Sequence, residues 1–168
     1  MLGDIEPISA RPPEAADRAI PGHWEGDLIM GAFNRSAIVT VVERRSRFLL
    51  LGELPDGHGA QAVYECLLGV CGDLPDVVRR SLTWDQGREM ADWVDLELAA
   101  DMEVYFCDPH SPWQRPSNEH MNGLLRQYFP KGTRPQQCQP GSITGRRCRN
   151  EWTAPEGPRL ADSGGGVC

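Results

Sequence analysis

The sequence predicts an α/β domain built on a mixed five-stranded sheet, with element order βββαβαβα. Three observations carry this. Residues 22–53 hold three strand-like apolar runs joined by short turns. From residue 58 the apolar spacing becomes helical. Two further short apolar runs, at 79–85 and 103–108, then alternate with helical stretches, the pattern of parallel strands reached through crossovers.

The elements follow in order. Residues 1–21 are rich in proline and charge, lack periodicity, and read as a linker or the remnant of an upstream region. G-H-W-E-G-D-L-I-M-G (22–31) is a strand bounded by glycines. S-A-I-V-T-V-V-E (36–43) is a β-branched second strand, and S-R-F-L-L-L-G-E (46–53) a third. Ala62, Val63, Cys66, Leu67 and Val70 share one helical face, and L-P-D breaks that helix. R-R-S-L-T-W-D is the fourth strand, R-E-M-A-D-W-V-D-L-E-L-A-A-D a helix, and E-V-Y-F-C-D the fifth strand. A loop with three prolines leads to S-N-E-H-M-N-G-L-L-R-Q-Y-F, a helix capped by Ser117 or Asn118 and ended by P-K-G. This is the strand order of ribonuclease-H-like folds.

Composition narrows the class. The chain has 168 residues, 40% hydrophobic, which suits one domain. No run approaches the roughly 18 apolar residues of a membrane span, and the first residues lack a signal-peptide pattern, so a cytoplasmic protein is expected. A net charge of −7 argues against a protein that merely coats nucleic acid. It is compatible with an enzyme that meets DNA through divalent metal. The six cysteines form no C-x-x-C and are read as reduced thiols.

The chemistry lies in carboxylates at element ends. Asp27 sits in the first strand, Asp85 follows the fourth, and Glu119 lies in the first turn of the last helix. A carboxylate beside a buried strand is costly unless it is paired, hydrogen-bonded or metal-bound. The first and fourth strands are neighbours in the proposed topology, and the helix can cross their ends, so the three are expected to gather. Such a cluster repels itself without cations, and hard oxygen donors suit magnesium or manganese. Bland readings stay open: Asp85 as a turn residue, and Glu119 as a first-turn acid favoured by the helix dipole. His23 and Glu25 share Asp27's face by alternation and are read as rim residues, with groups that support the acids from behind as the alternative. His110 and His120 are read as local hydrogen-bonders.

G-H-W-E-G-D-L-I (22–29), S-L-T-W-D-Q-G-R-E-M (81–90), C-D-P-H-S-P-W-Q-R-P-S-N-E (107–119) and N-G-L-L-R-Q-Y-F-P-K-G-T (122–133) resemble the catalytic core of insertion-sequence transposases of the IS-thirty family, which is similar to retroviral integrases. The resemblance covers about residues 20–133. It implies an integrase-like core over 22–133 and DDE chemistry: metal-dependent cleavage at the ends of a mobile DNA element, then strand transfer to target DNA. The triad falls on Asp27, Asp85 and Glu119, holding two Mg2+ ions that Mn2+ can replace. Trp113, Gln114, Arg115, Asn118, Asn122, Arg126 and Lys131 are candidate DNA contacts. Further expectations are self-association on DNA, no small-molecule substrate, and a nucleoid-associated place in a prokaryotic cell. Two other readings stand beside this one: an inactive fragment that at most binds DNA or full-length transposase, and a ribonuclease-H-like nuclease acting on RNA–DNA hybrids.

The chain departs from the family pattern at Pro116, where glycine is usual, and at His120, where asparagine is usual. It also starts after the family's helix-turn-helix region. Beyond Thr133 all periodicity stops, and half of the cysteines fall in residues 134–168, a stretch dense in Pro and Gly. The 16 Arg and single Lys suggest GC-rich coding. With such codons, the stretch from Arg149, read one base later, can spell G-M-N-G-P-P-R-K-A-L-G-W-R-T-P-A-E-V-F, which resembles the family's closing segment. Residues 134–168 are therefore expected to be a disordered, out-of-frame tail.

Overall fold

The computed structural model describes residues 5–129. Strands β1 (His23–Met30), β2 (Ala37–Glu43), β3 (Leu49–Leu54), β4 (Ser81–Trp84) and β5 (Glu103–Phe106) form one sheet in the order β3-β2-β1-β4-β5. β1 pairs antiparallel with β2, and β2 with β3. β4 lies parallel to both β1 and β5. The five predicted strands are all present, and β1 and β4 are neighbours as expected.

The two faces of the sheet differ in chemistry because strand side chains alternate. One face presents Trp24, Val39, Val41, Leu50, Leu82, Trp84, Val104 and Phe106. Helix α2 (Ala60–Cys71) buries Val63, Leu67 and Cys71 against it, and α3 (Trp93–Ala100) buries Trp93, Leu96 and Ala100. Trp93 meets Phe106 edge to face, with ring centroids 5.6 Å apart, a favoured aromatic geometry. Two glycines permit this packing. A Cβ on Gly26 would stand 2.1 Å from the Trp84 ring, and one on Gly52 would stand 2.2 Å from Cys66 Sγ.

The opposite face carries His23, Glu25, Asp27, Thr40, Ser81 and Thr83, by the pairing register. Helix α4 (Pro116–Tyr128) crosses it, anchored where Leu125 meets Ile29 and Ile38.

Residues 5–20, read from sequence as part of a linker, lie against the sheet. Pro7 bridges Phe106, and the Phe106 amide donates to the Glu6 carbonyl at 2.8 Å. That covers part of the exposed edge of β5. A short helix, α1 (Pro13–Asp17), buries Ala15. Arg11 donates to the Thr83 hydroxyl at 3.0 Å, on the polar face. With only one buried helical residue, the segment shows no periodicity in sequence.

Cys71 and Cys107 are buried free thiols, pushed up by burial to about 12 and about 11, which keeps them protonated and unreactive. Among the described residues no helix is long and apolar enough to cross a membrane.

Gly26→Ala is expected to force Trp84 from its place. The cost is about 1–3 kcal/mol of overpacking, read as a lower urea midpoint at unchanged slope.

Candidate active site

β1 sends Glu25 and Asp27 toward α4, and β4 ends one residue before Asp85. Both aspartates lie beside Arg115, the residue that precedes α4. Arg115 Nη1 is 3.4 Å from Asp27 Oδ1, and Nη2 is 3.4 Å from Asp85 Oδ2. The guanidinium is buried, and Nη1 also donates to the Gly26 carbonyl at 2.6 Å. Burial pushes the Asp27 carboxyl above its ordinary value, Arg115 pulls it down, and nearby Asp85 pushes the same way as burial. Burial works against the charged form of Arg115, but the two aspartates outweigh it and hold its proton more firmly. Asp85 Oδ1 and Arg115 Nε are buried without a hydrogen-bond partner.

The helix is seated by an unusual cap. Pro116 occupies the first helical position, where its missing N–H costs nothing. Neither Ser117 nor Asn118 is the cap expected from sequence; Arg115 precedes the helix, with no side-chain cap bond. The Asn118 amide donates instead to Glu25 Oε2, at 2.9 Å, so a carboxylate from β1 satisfies a first-turn donor. Glu25 Oε1 pairs with Arg44 at 3.0 Å, both side chains being buried. The Asn118 side chain donates to the carbonyls of Glu25 and Thr40, at 2.7 and 3.2 Å. The Thr40 hydroxyl lies 3.1 Å from Asn118 Oδ1 and 3.0 Å from Asn122 Oδ1. Asn122 donates to Asp27 Oδ2 at 2.9 Å.

Several sequence expectations change here. Glu25 and His23 are buried, not on the rim. His23 Nδ1 lies 2.7 Å from the Ser81 hydroxyl. Asn118 has no exposed surface to offer DNA, because its polar groups tie α4 to β1 and β2. Arg115 is turned inward by the two aspartates. Arg126 donates to the Met30 carbonyl, closing the end of β1. Gln114 spans its own loop through Asp108. Trp113 is 71% exposed and stays available. Lys131 and the tail lie outside the described residues.

The expected gathering of three acids is incomplete. Asp27 and Asp85 share Arg115, while Glu119 is exposed in the first turn of α4. Among the described residues no three His, Cys, Asp or Glu side chains group closely enough to hold an ion. Two carboxylates against one guanidinium already leave one excess negative charge, and a third anion there would add to it. Sequence reasoning missed Thr40 and Arg44. Thr40 left a signal: it is the one polar residue inside the I-V-T-V-V run, and it pairs with Asp27 in the register.

Two outcomes follow. Asn118→Ala strands the Glu25 and Thr40 carbonyls and is expected to cost about 1–3 kcal/mol, measured by urea unfolding. Burial, then Arg80, holds His23 below its ordinary value of 6.5. The unfolded state therefore takes up the proton first. Stability should be full above about pH 6.5 and fall as pH drops through the lower folded value. His23→Gln should flatten that part of the stability profile.

The Integrase core domain family matches residues 17–112. The transposase for insertion sequence element IS1086 of Cupriavidus metallidurans is 56% identical over 136 residues, 79% of this chain and 39% of that protein. Transposase InsI for insertion sequence element IS30A of Escherichia coli is 46% identical over 127 residues, 76% of this chain and 33% of that protein. The catalytic core domain of BIV integrase superposes with a TM-score of 0.51 at 19% identity, over 64% of this chain and 68% of that one. A chain of the simian T-cell lymphotropic virus intasome, solved with PP2A regulatory subunit B56 gamma, gives 0.56 at 16% identity, over 76% and 43%. These two likenesses show the ribonuclease-H-like fold. The chain spans less than two fifths of the length of the two transposases. Matched across more than half its length by one family model and similar in sequence to two transposases, the chain belongs to the Integrase core domain family.

Proposed function

We propose that this chain supplies the catalytic centre for cutting DNA at the ends of a mobile element and joining them to target DNA. The observation that supports this most is the meeting of Asp27, inside β1, and Asp85, just past the end of the adjacent parallel strand β4, on one cation. The donor set fits a hard divalent ion: two carboxylates converge, and one buried oxygen, Asp85 Oδ1, has no partner. The family's divalent-metal chemistry is assigned here to two Mg2+ ions, with Mn2+ able to substitute. A bound ion supplies Lewis acidity at a phosphoryl oxygen and lowers the pKa of the attacking water or hydroxyl.

Asp27 and Asp85 would hold the ions from the sheet, and Glu119 would complete the set from the first turn of α4. Asn122 orients Asp27 through Oδ2. Glu25 and Asn118 fix the helix against β1. Exposed Trp113 offers a face on which a base can stack, and Lys131 a charge for the phosphate chain. Element ends and target DNA are the partners. Two ends must be handled together, which favours self-association on DNA, in the cytoplasm where the nucleoid lies.

A second reading is favoured by the exposed position of Glu119: a fragment that binds DNA or a longer transposase without turnover. Incubation of the purified chain with duplex carrying element ends and Mg2+ separates the two. Nicked or joined products are expected, with Asp27→Asn, Asp85→Asn and Glu119→Gln each slowing them about a thousandfold, the equivalent of several kcal/mol of charge stabilisation. Wild-type rates in Asp85→Asn would sink the site assignment. Metal binding with no product at all points to the second reading.

A further inference from the structure

We propose that Arg115 is a resident counter-ion of Asp27 and Asp85, which a divalent ion must displace in order to bind them. This rests on the reading of those aspartates as metal ligands. The guanidinium occupies the position between the two carboxylates, with one nitrogen toward each. Its single charge offsets part of the repulsion between the two acids on neighbouring strands.

The contacts are poor for an ion pair meant to be permanent. Charge-assisted N–H···O bonds run at about 2.7–2.9 Å, whereas both carboxylate contacts here are 3.4 Å. One oxygen of the pair, Asp85 Oδ1, and one guanidinium nitrogen, Nε, are buried and unsatisfied. The single short bond of Arg115 goes to a neutral acceptor, the Gly26 carbonyl, at 2.6 Å. Compare the other buried pair on this face. Glu25 and Arg44 approach to 3.0 Å, and Glu25's second oxygen takes the Asn118 amide. Both pairs leave buried polar atoms without hydrogen-bond partners, but Arg115 meets its carboxylates at longer range and sets one charge against two. A hard cation satisfies both carboxylates at shorter range, and a charge of two offsets more repulsion than a charge of one.

Exchange requires little of the fold. Arg115 lies between the turn Pro112–Gln114 and the first residue of α4, and its backbone is not part of the helix. The helix is held by Glu25, Thr40 and Asn118, none of which depends on the Arg115 side chain. The side chain can swing out while the helix stays, leaving a mobile cation at the mouth of the site.

If the latch is closed nine times in ten, apparent metal affinity is lowered about tenfold. The test is calorimetric titration of Mn2+ into the 168-residue chain without DNA, as wild type, Arg115→Met and Asp85→Asn. Arg115→Met is expected to bind about tenfold more tightly, and Asp85→Asn to lose binding. A folded Arg115→Met with unchanged or weaker affinity overturns the displacement and leaves the ligand reading standing. Binding that survives intact in Asp85→Asn overturns the ligand reading, and the latch with it. A second readout uses unmutated protein, so it does not depend on the folding of Arg115→Met. The side-chain 15Nε–Hε signal of Arg115, assigned by its absence in Arg115→Lys, should move on addition of Mg2+ to the wild type and not respond in Asp85→Asn. A signal that Mg2+ leaves in place in the wild type overturns the proposal.

Discussion

The Glu25 carboxylate holds the polar face of this protein together. One oxygen accepts the Asn118 amide at the start of α4, and the other pairs with Arg44. A buried carboxylate is tolerable only when its charge is answered, and here Arg44 meets the charge while the helix start hydrogen-bonds one oxygen. The result is a cap supplied from a strand 93 positions away in the chain. It fixes where α4 begins relative to β1. Every other placement on this face follows: Asn122 over Asp27, Arg126 over the end of β1, and Arg115 between the aspartates.

The sheet thus divides its work. One face is apolar and closely packed, with Gly26 and Gly52 bringing side chains close to the backbone. The other carries three carboxylates, Glu25, Asp27 and Asp85, set against two buried guanidiniums, Arg44 and Arg115. Interleaving opposite charges lowers the cost of crowding them. β1 takes part in both faces, since Trp24 and Gly26 face the core while Glu25 and Asp27 face α4.

Much of this was legible in the amino-acid sequence. The five strands could be read because their apolar runs are short, β-branched and bounded by turn residues, and α2 because its apolar spacing is helical. The family resemblance singled out Asp27, Asp85 and Glu119. What could not be read was direction and partnership. Asn118 and Arg115 look like surface residues of a polar loop, and only the packing of α4 turns them inward. Residues 5–20 carry no periodicity, because they contact the sheet through isolated groups such as Arg11 and Ala15. Glu119 is exposed because α4 is rotated so that Asn118 and Asn122 face the sheet, a rotation that no local pattern encodes.

The division between the faces also bears on how copies of such a chain decay over generations. The apolar core includes none of the three acids, so a substitution that removes one of them leaves the packing of α2 and α3 on the sheet intact. Neutralising Asp27 or Asp85 even relieves a repulsion that Arg115 otherwise has to balance. Selection on folding alone therefore does not see the loss. Copies that have lost an acid remain well-formed proteins.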